Sequence, residues 1–276
     1  MKNNKTIDEI ILKYSTRGMD KLQKRYPVEH CKKAAEKFIT LKKGVVFLYT
    51  GFCVKGYAET DGPLGTYFLA LALQKLGFKP VIITDVYCED YFREIETIYI
   101  PLKGLKESQY AQLLDKYEPV CHFSIERLGR DENGRYLNSR EIDISELTAP
   151  VDELYLMGGK RAPLFAIGDG GNEIGMGNFK EFLKESLHVN PCAIASDFPI
   201  IATISNWGAY GFISYLQLFL HEPLLPTFDE LEEYMDFILS KGCVDGIKCE
   251  NVKSVDGKEW HTEKEILGDL RHATLV

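Results

Sequence analysis

Short apolar runs alternate with longer amphipathic segments from residue 44 onward. Each run has four to six residues and is rich in branched side chains. Such near-continuous apolarity is typical of strands that are covered on both faces, and the segments between the runs are long enough for the crossovers that parallel strands need. The runs are VVFLYT (45–50), VIITD (81–85), TIYI (97–100), VCHF (120–123), LFAIGD (164–169) and IIATIS (200–205).

Helical periodicity fills the intervals between these runs. The predicted helices span residues 62–77, 88–95, 106–117, 173–187 and 207–220, with two more near 227–241 and 259–272. Runs and helices together predict a doubly wound α/β fold, with a mostly parallel sheet of about six strands flanked by helices.

Two regions lie outside this alternation. We interpret residues 1–43 as a helical extension, because apolar residues recur at helical spacing from Ile7 to Tyr14 and Pro27 opens a second segment. This extension is expected to pack on the core or on another subunit. Residues 126–150 are charged and rich in turn formers, which predicts a functional loop or a small hairpin.

Length and composition narrow the class of protein. A chain of 276 residues fits one α/β domain, 1–276, with 45% hydrophobic and 27% charged residues. The net charge of −8 offers no positive field for nucleic acid or an anionic membrane, so neither is expected as a partner. We find no apolar segment of spanning length and no signal peptide, which favours a cytoplasmic protein. The sequence is compatible with a homo-oligomer as well as with a monomer.

Cysteine and histidine usage gives no sign of a disulfide framework or a zinc site. The seven cysteines are scattered and contain no C-x-x-C pair, so we expect reduced thiols. The six histidines show no metal-ligand spacing, and no G-x-S-x-G elbow is present.

Polar motifs follow several of the predicted strands, where an open parallel sheet binds its ligands. Thr50 and Gly51 end the first run, and the motif E-T-D-G-P (59–63) precedes a helix. Thr60 or Asp61 suits an N-cap and Pro63 suits the first helical turn. Capping alone leaves Glu59, Gly51 and Gly62 unexplained, so these residues are candidates for a site.

The fourth run is followed by Glu126 and Arg127, and further along the same loop by Asn138, Arg140 and Asp143. Arginine offers a bidentate fork that binds a carboxylate, although a solvated surface ion pair is the alternative for each charged residue. After the second run, Asp85 either joins the site or caps the next helix.

The motif G-D-G-G-N-E-I-G-M-G-N (168–178) after the fifth run is the most specific feature. Its glycines let the backbone approach a ligand closely, and amides at the start of the following helix can point at an anion. Asp169, Asn172, Glu173 and Asn178 add oxygen ligands or acid–base groups. The spacing differs from G-x-G-x-x-G and lacks the P-loop lysine, while a plain glycine-rich turn remains an alternative.

A last motif, S-N-W-G-A-Y-G (205–211), follows the sixth run. Asn206 can orient a substrate, whereas Trp207 is more often a packed or lid aromatic than a reactive group. All these motifs lie at predicted carboxyl ends of strands, which predicts that they form one site.

In this order, T-G-F, E-T-D-G-P, E-R, the glycine motif, S-N-W-G and V-D-G (244–246) resemble the D-glutamate cyclase family over about residues 44–270. The resemblance implies a lyase that converts D-glutamate to 5-oxo-D-proline with loss of water. Members occur in bacteria and, attached to another domain, in mitochondria, which implies a stand-alone bacterial enzyme here. Leu64 departs from the small residue or proline expected there, but it leaves the carboxylates intact.

The resemblance and the chemistry together suggest roles for these residues. We hypothesise that Asp169 and Glu173, with Glu59 or Asp61, supply the base and the acid. Arg127, Asn172, Asn206 and the glycine-loop amides would hold the substrate carboxylates. The remaining candidates for substrate contact are Thr50, Gly51, Thr60, Gly62, Glu126, Asn138, Arg140, Gly170, Gly171, Asn178, Ser205 and Trp207.

No cofactor is logically required, since the ring closure is intramolecular and needs no ATP. An oxygen-rich set made of Glu59, Asp61, Asp169 and Glu173 nevertheless suits Mg²⁺, Mn²⁺ or Ca²⁺. Two rival functions stay open: a module that senses an acidic amino acid without converting it, and a nucleotide-dependent transferase.

Overall fold

A six-stranded parallel sheet forms the centre of the fold in the computed structural model, which describes residues 5–275. The spatial order is β5-β4-β1-β6-β7-β8. This confirms the predicted α/β architecture, and all six predicted runs form its strands. They are β1 (Val45–Tyr49), β4 (Lys79–Thr84), β5 (Thr97–Tyr99), β6 (Cys121–Ile125), β7 (Leu164–Gly168) and β8 (Phe198–Ile201).

The strand order reverses next to β1, which lies between β4 and β6. From β1 the chain moves outward to β4 and β5, then returns across the sheet to β6 and continues to β7 and β8. The loops that follow β1 and β6 therefore diverge and open a crevice at the carboxyl edge of the sheet. Such a topological switch point is where open α/β sheets bind ligands.

Helices cover both faces of the sheet. They are α1 (Ile7–Ile11), α2 (Met19–Arg25), α3 (His30–Phe38), α4 (Pro63–Lys75), α5 (Glu107–Tyr117), α6 (Val151–Gly158), α7 (Lys180–Ser186), α8 (Ser205–Leu220), α9 (Phe228–Ser240) and α10 (Trp260–Ala273). Helices α3, α4 and α8 pack on one face, where Phe38, Phe123 and Phe212 join the larger core. Helices α5 and α6 cover the other face, where Phe47 and Tyr155 join the second core.

Two short hairpins stand at the carboxyl edge of the sheet and were not predicted. They are β2 (Cys53–Val54) with β3 (Tyr57–Ala58), and β9 (Ser254–Val255) with β10 (Lys258–Glu259). None of the helices among residues 5–275 combines the length and the apolarity that crossing a membrane requires.

The predicted helix at 88–95 is wrong. Only a 3₁₀ turn forms, at Val86–Cys88, and Asp85 caps it by accepting a hydrogen bond from the amide of Tyr87 at 3.2 Å. Asp90 and Glu94 then adopt positive φ angles of 61° and 56°, which a continuing helix does not allow.

The helix predicted at 173–187 begins later, at Lys180. Gly175 has a φ of 96°, and Leu128 pairs with Glu173 as an isolated bridge, so the glycine motif stays irregular. The predicted start of the helix inside the motif is therefore wrong: a 3₁₀ turn at Gly177–Phe179 ends the motif and leads into α7. Conversely, the pattern did not reveal α6, which begins directly after Pro150.

The N-terminal extension packs on the core of the same chain. It contains three helices instead of the two predicted. Asp8 is buried and accepts hydrogen bonds from the hydroxyl of Tyr215 at 2.8 Å and the amide of Cys31 at 2.9 Å. The backbone carbonyl of Ile11 accepts from the amide of Thr203 at 2.9 Å. The extension is thus tied to the segment between β8 and α8.

Candidate active site

A cavity of about 270 Å³ opens at the switch point, between the loops that follow β1 and β6. Its floor is polar and its rim mixes apolar and cationic side chains. The floor is formed by Arg17, Glu59, Glu126, Asn172 and Asp256. The rim includes Phe52, Lys55, Arg140, Ile142, Leu147 and Ile247. A concave site of this small size suits a small, polar metabolite.

Six carboxyl groups converge on the floor of this cavity and behind it, and we call them the acid cluster. Its members are Glu59, Asp61, Glu126, Asp169, Glu173 and Asp256. One oxygen each of Asp61, Asp169 and Asp256 lies within 4.8 Å of the others, and the same holds for Glu126, Asp169 and Glu173. Asp169 belongs to both groups and so lies at the centre of the cluster.

Glu59 and Asp61 reach the acid cluster from the loop after β3. Glu59 pairs through its backbone with Val244, and its side chain lines the cavity. Asp61 accepts hydrogen bonds from the amides of Ser205 at 2.9 Å and Asn206 at 2.8 Å. It therefore caps α8 and not α4, whose N-cap is Gly62, so the predicted capping of the following helix is wrong. Pro63 does occupy the first turn of α4, as predicted.

Glu126 follows β6 directly and has a left-handed φ of 47°. Its Oε2 accepts a hydrogen bond from the hydroxyl of Ser205 at 2.6 Å. A non-glycine residue in this conformation costs free energy, and such positions concentrate at functional sites. The conformation turns the Glu126 side chain toward the cavity that it lines.

Asp169 and Glu173 lie behind the cavity and are fully buried. The carboxylate of Glu173 accepts hydrogen bonds from the amides of Gly170 at 3.1 Å and Gly171 at 2.7 Å. The motif amides that were expected to face a ligand are thus occupied by the motif's own glutamate. One oxygen of Asp169, Oδ1, has no hydrogen-bond partner among residues 5–275.

Arg17 and Asp256 belong to the site although sequence reasoning missed both. The Nη2 atom of Arg17 donates to the carboxylates of Asp169 and Asp256. Arg17 lies between α1 and α2, and Asp256 lies in the turn of the β9–β10 hairpin. The only signals were an arginine before Gly18 inside the predicted helical extension and a D-G turn after a polar stretch.

Arg127 is buried and both terminal nitrogens of its guanidinium are occupied. Its Nη1 donates to the carbonyl of Gly51 at 2.7 Å and pairs with Asp85 at 2.6 Å, while Nη2 donates to the carbonyl of Ala149 at 2.7 Å. Arg127 does not line the cavity, so the structure does not bring it to the place predicted for gripping a carboxylate. It joins the loop after β1 to the segment before α6.

Asn206 and Trp207 also serve the scaffold. Asn206 accepts from the amides of Gly62 at 3.0 Å and Gly65 at 2.7 Å and donates to the carbonyl of Thr60 at 3.0 Å. The Trp207 indole is fully buried and donates to Glu263 at 2.6 Å. Both were predicted to contact substrate, and the structure instead places them where α4 and α8 begin.

The loop after β6 covers the cavity. The side-chain oxygen of Asn138 accepts from the amides of Arg140 at 2.9 Å and Ile142 at 3.0 Å, which fixes a turn above the floor. Asn172 donates to the carbonyl of Leu137 at 2.9 Å and lines the cavity.

Three other candidates lie at its margin or outside it. Asp143 accepts within its own loop from Ser145. Asn178 pairs with the backbone of Ser196 and is not among the residues that line the cavity. Thr60 donates to the carbonyl of Ser254 at 2.9 Å and so holds the hairpin that carries Asp256.

Burial and the crowding of like charges raise the pKa values of several members of the acid cluster. Burial first, then the charges of Asp256 and Asp61, raises the pKa of Glu59 well above its usual range. Burial and the charges of Glu173, Asp61 and Glu59 do the same to the pKa of Glu126. Burial and Asp256 raise the pKa of Asp61 to about 7, although the amides that it caps oppose the shift.

Asp169 follows the same pattern despite its pairing with Arg17. Burial raises the pKa of Asp169 well above its usual range; the charge of Arg17 lowers it, and the charge of Glu126 raises it again. Arg17 supplies one positive charge to a cluster that contains six carboxyl groups. Several members of the cluster must therefore carry protons near neutral pH or share a bound cation.

The chain is similar in sequence to a known protein family and to a curated protein. The family described as "D-glutamate cyclase-like, C-terminal" matches residues 7–271. Mitochondrial D-glutamate cyclase of Homo sapiens is 34% identical over 176 residues, which cover 55% of this chain and 29% of that protein. The chain thus spans less than a third of the length of this curated relative.

Solved structures give weaker likeness. An exopolyphosphatase-related protein from Bacteroides fragilis has a TM-score of 0.44 at 10% identity. The matched region covers 90% of this chain and 57% of the Bacteroides fragilis protein. RecJ from Thermus thermophilus, solved in complex with Mn²⁺, has a TM-score of 0.39 at 10% identity. The matched region covers 90% of this chain and 38% of RecJ. At these scores the likeness carries no argument about function.

Proposed function

Because the chain belongs to the D-glutamate cyclase-like, C-terminal family, we propose that it is a lyase that closes D-glutamate to 5-oxo-D-proline with loss of water. The observation that carries this proposal is the acid cluster with raised pKa values on the floor of a small cavity. The activity named for the human relative supports it.

The reaction balances as an internal transfer of two protons. The substrate enters with an ammonium group and two carboxylates. A C–N bond forms between the amine and the γ-carboxyl carbon, one C–O bond breaks, and two protons pass from nitrogen to the departing oxygen, which leaves as water. The site must therefore accept protons at one point and return them at another, without a net proton from solvent.

Glu59 and Glu126 are placed for this exchange because both line the cavity. A carboxylate among them takes a proton from the ammonium, and a protonated neighbour gives one to the departing oxygen. Their raised pKa values favour the protonated form, so one of the two can hold the proton that the departing oxygen takes. Holding amine and carboxyl together in one small cavity favours ring closure, an effect worth up to about 7–11 kcal/mol in ideal cases.

Asp169 and Glu173, first assigned as acid and base, lie one layer deeper in this proposal. They exchange protons with substrate through Glu126, whose oxygen lies within 4.8 Å of both. Asp61 connects to the same network through Asp256. The deeper acids thus set the proton affinity of Glu59 and Glu126, which line the cavity.

A divalent cation fits the same residues. The donor set consists of carboxylate oxygens, which Mg²⁺, Mn²⁺ and Ca²⁺ prefer, and the unpartnered Oδ1 of Asp169 offers a free ligand. The holding residues would be Asp61, Asp169 and Asp256, or Glu126, Asp169 and Glu173, whereas Glu59 lies outside both groups. A bound cation would neutralise the reacting carboxylate and make it a better electrophile.

Proton NMR of the purified chain with D-glutamate tests the function directly, with L-glutamate as the comparison. We expect the signals of the cyclic lactam from D-glutamate, and loss of at least about a hundredfold in rate for Glu59→Gln and Glu126→Gln. Absence of lactam from both enantiomers, with Mg²⁺ or Mn²⁺ present and absent, would falsify the proposal. Saturable binding without product would identify a sensor, and protection from unfolding by ATP but not by glutamate would identify a transferase.

A further inference from the structure

Arg17, on the floor of the active-site cavity, has hydrogen-bond donors that no described residue accepts from. Its Nη2 donates to Asp169 and Asp256, while Nε and Nη1 donate to no group among residues 5–275. Nη1 lies next to Gly170, 3.5 Å from the position that a Cβ on this glycine would take. The side chain is 27% exposed and also lines a neighbouring cavity of about 340 Å³.

The other cations near the cavity are less suited to hold a carboxylate in one orientation. Lys55 and Arg140 lie on the rim, exposed and without an ion pair within the described part of the chain. Arg127 is buried, and both of its terminal nitrogens are occupied. Among the cations of residues 5–275 near the cavity, only Arg17 combines a fixed position, free donors and access to the cavity.

The segment that carries Arg17 is fixed on both sides. On the N-terminal side, Ile11 accepts a backbone hydrogen bond from Thr203, and the hydroxyl of Tyr14 donates to Glu265 at 2.7 Å. On the C-terminal side, the hydroxyl of Ser15 accepts from the amide of Asp20 at 3.2 Å at the start of α2. The guanidinium is therefore placed by the fold and held between two carboxylates.

We propose that Arg17 binds the α-carboxylate of the substrate through the free donors of its Nη1; this rests on the proposed function. The γ-carboxyl group reacts and must reach Glu59 or Glu126, whereas the α-carboxylate keeps its charge throughout. Acids would repel it anywhere on the floor except beside Arg17. Because this hydrogen bond joins a guanidinium to a carboxylate, it is charge-assisted and stronger than one between neutral groups.

This contact completes a three-point attachment. One of Glu59 and Glu126 faces the ammonium group, the other faces the γ-carboxyl group, and the α-carboxylate faces Arg17. Three fixed contacts around one carbon distinguish the two enantiomers. Arg17 is thus a substrate-binding and specificity residue contributed by the N-terminal helices.

The test compares two ligands that differ only in the α-carboxylate. D-Glutamate carries it and 4-aminobutanoate lacks it. Binding of each is measured by calorimetry to the wild-type chain, to Arg17→Gln and to Arg17→Lys, with turnover of D-glutamate followed by NMR. Lys21→Gln, which removes a cation from the wall of the neighbouring cavity, is the matched control.

We expect Arg17→Gln to weaken D-glutamate binding about a hundredfold and Arg17→Lys about tenfold, with 4-aminobutanoate binding unchanged. Lys21→Gln should bind both ligands like the wild type. Equal weakening of both ligands, or of neither, overturns the proposal. If Arg17→Gln does not fold, the ratio measured for Arg17→Lys decides. If D-glutamate binds through Arg17 but no lactam forms in the wild type, the carboxylate-binding role of Arg17 is supported and the proposed cyclase function is refuted.

Discussion

The backbone at Gly246 lies directly against the carboxyl group of Glu59. A Cβ atom built on Gly246 would stand 2.0 Å from Glu59 Oε2, a separation that no real contact tolerates. The V-D-G segment therefore shapes the cavity floor through the absence of a side chain. Asp245 fixes this segment by accepting hydrogen bonds from the amides of Ile247 and Lys248.

Gly246→Ala should displace Glu59 and lower kcat/KM for D-glutamate by about a hundredfold, because a shift of about 1 Å in a reacting group has effects of this size. The chain should still fold, which thermal unfolding checks. Gly268→Ala in α10 is the control, since nothing lies within 4 Å of its added methyl group. Wild-type turnover in Gly246→Ala would show that Glu59 does not have to hold its position.

Removal of Arg127 should affect stability more than substrate binding. Arg127→Met leaves the buried Asp85 without its partner, and breaking a buried ion pair costs about 3–5 kcal/mol of the free energy of unfolding. Urea denaturation measures this loss. The double variant Arg127→Met/Asp85→Leu should recover part of it, because no lone charge remains. A single variant of wild-type stability with a raised KM would return Arg127 to the substrate-binding role first predicted.

The cation proposal predicts a shift in thermal unfolding. MnCl₂ at about 100 times its Kd should stabilise the metal-free chain by about 2.7 kcal/mol. Asp169→Asn should abolish this response, since Asp169 belongs to both candidate groups. Asp115→Asn, a change of an exposed acid on α5, should respond like the wild type. Unchanged unfolding of the wild type with Mn²⁺, Mg²⁺ and Ca²⁺ would rule the cation out.

Glu263 should give the stability of the protein a pH dependence separate from the reaction. Burial, opposed by the hydrogen bond from Trp207, raises the pKa of Glu263 to about 8 from an ordinary 4.5. Between these values the folded chain holds a proton that the unfolded chain releases. The free energy of unfolding therefore falls as pH rises through this window, by up to about 1.4 kcal/mol per pH unit.

Glu263→Gln keeps an oxygen for the Trp207 indole and removes the titrating group. Urea denaturation at pH 5, 6.5 and 8 should show a smaller decline in the variant than in the wild type. Parallel curves for the two proteins would mean that Glu263 does not hold a proton in the folded state.

Sequence patterns predicted the architecture well because buried strands and amphipathic helices leave a strong periodic signal. They failed at 88–95, where left-handed residues such as Asp90 and Glu94 interrupt an apolar pattern that otherwise resembles a helix. They also failed at α6, which follows a polar loop without a capping side chain. Local conformation and tertiary packing decide both cases.

The site was predictable in its location but only partly in its members. Position after a strand brought Glu59, Glu126 and Asp169 together, as the sheet topology requires. The same rule cannot tell a residue that lines the cavity from one that supports it, and Arg127 and Asn206 proved to be supports. Arg17 follows no strand of the sheet, so no rule based on strand ends could find it.

The pairing of Arg17 with Asp256 joins positions that are 239 residues apart in the chain. Synthesis therefore delivers Arg17 at the start and Asp256 close to the end, so this ion pair can form only when almost the whole chain has been made. The β9–β10 hairpin is thus among the last parts to join the acid cluster. Removal of this hairpin should leave Arg17 with Asp169 as its remaining carboxylate partner.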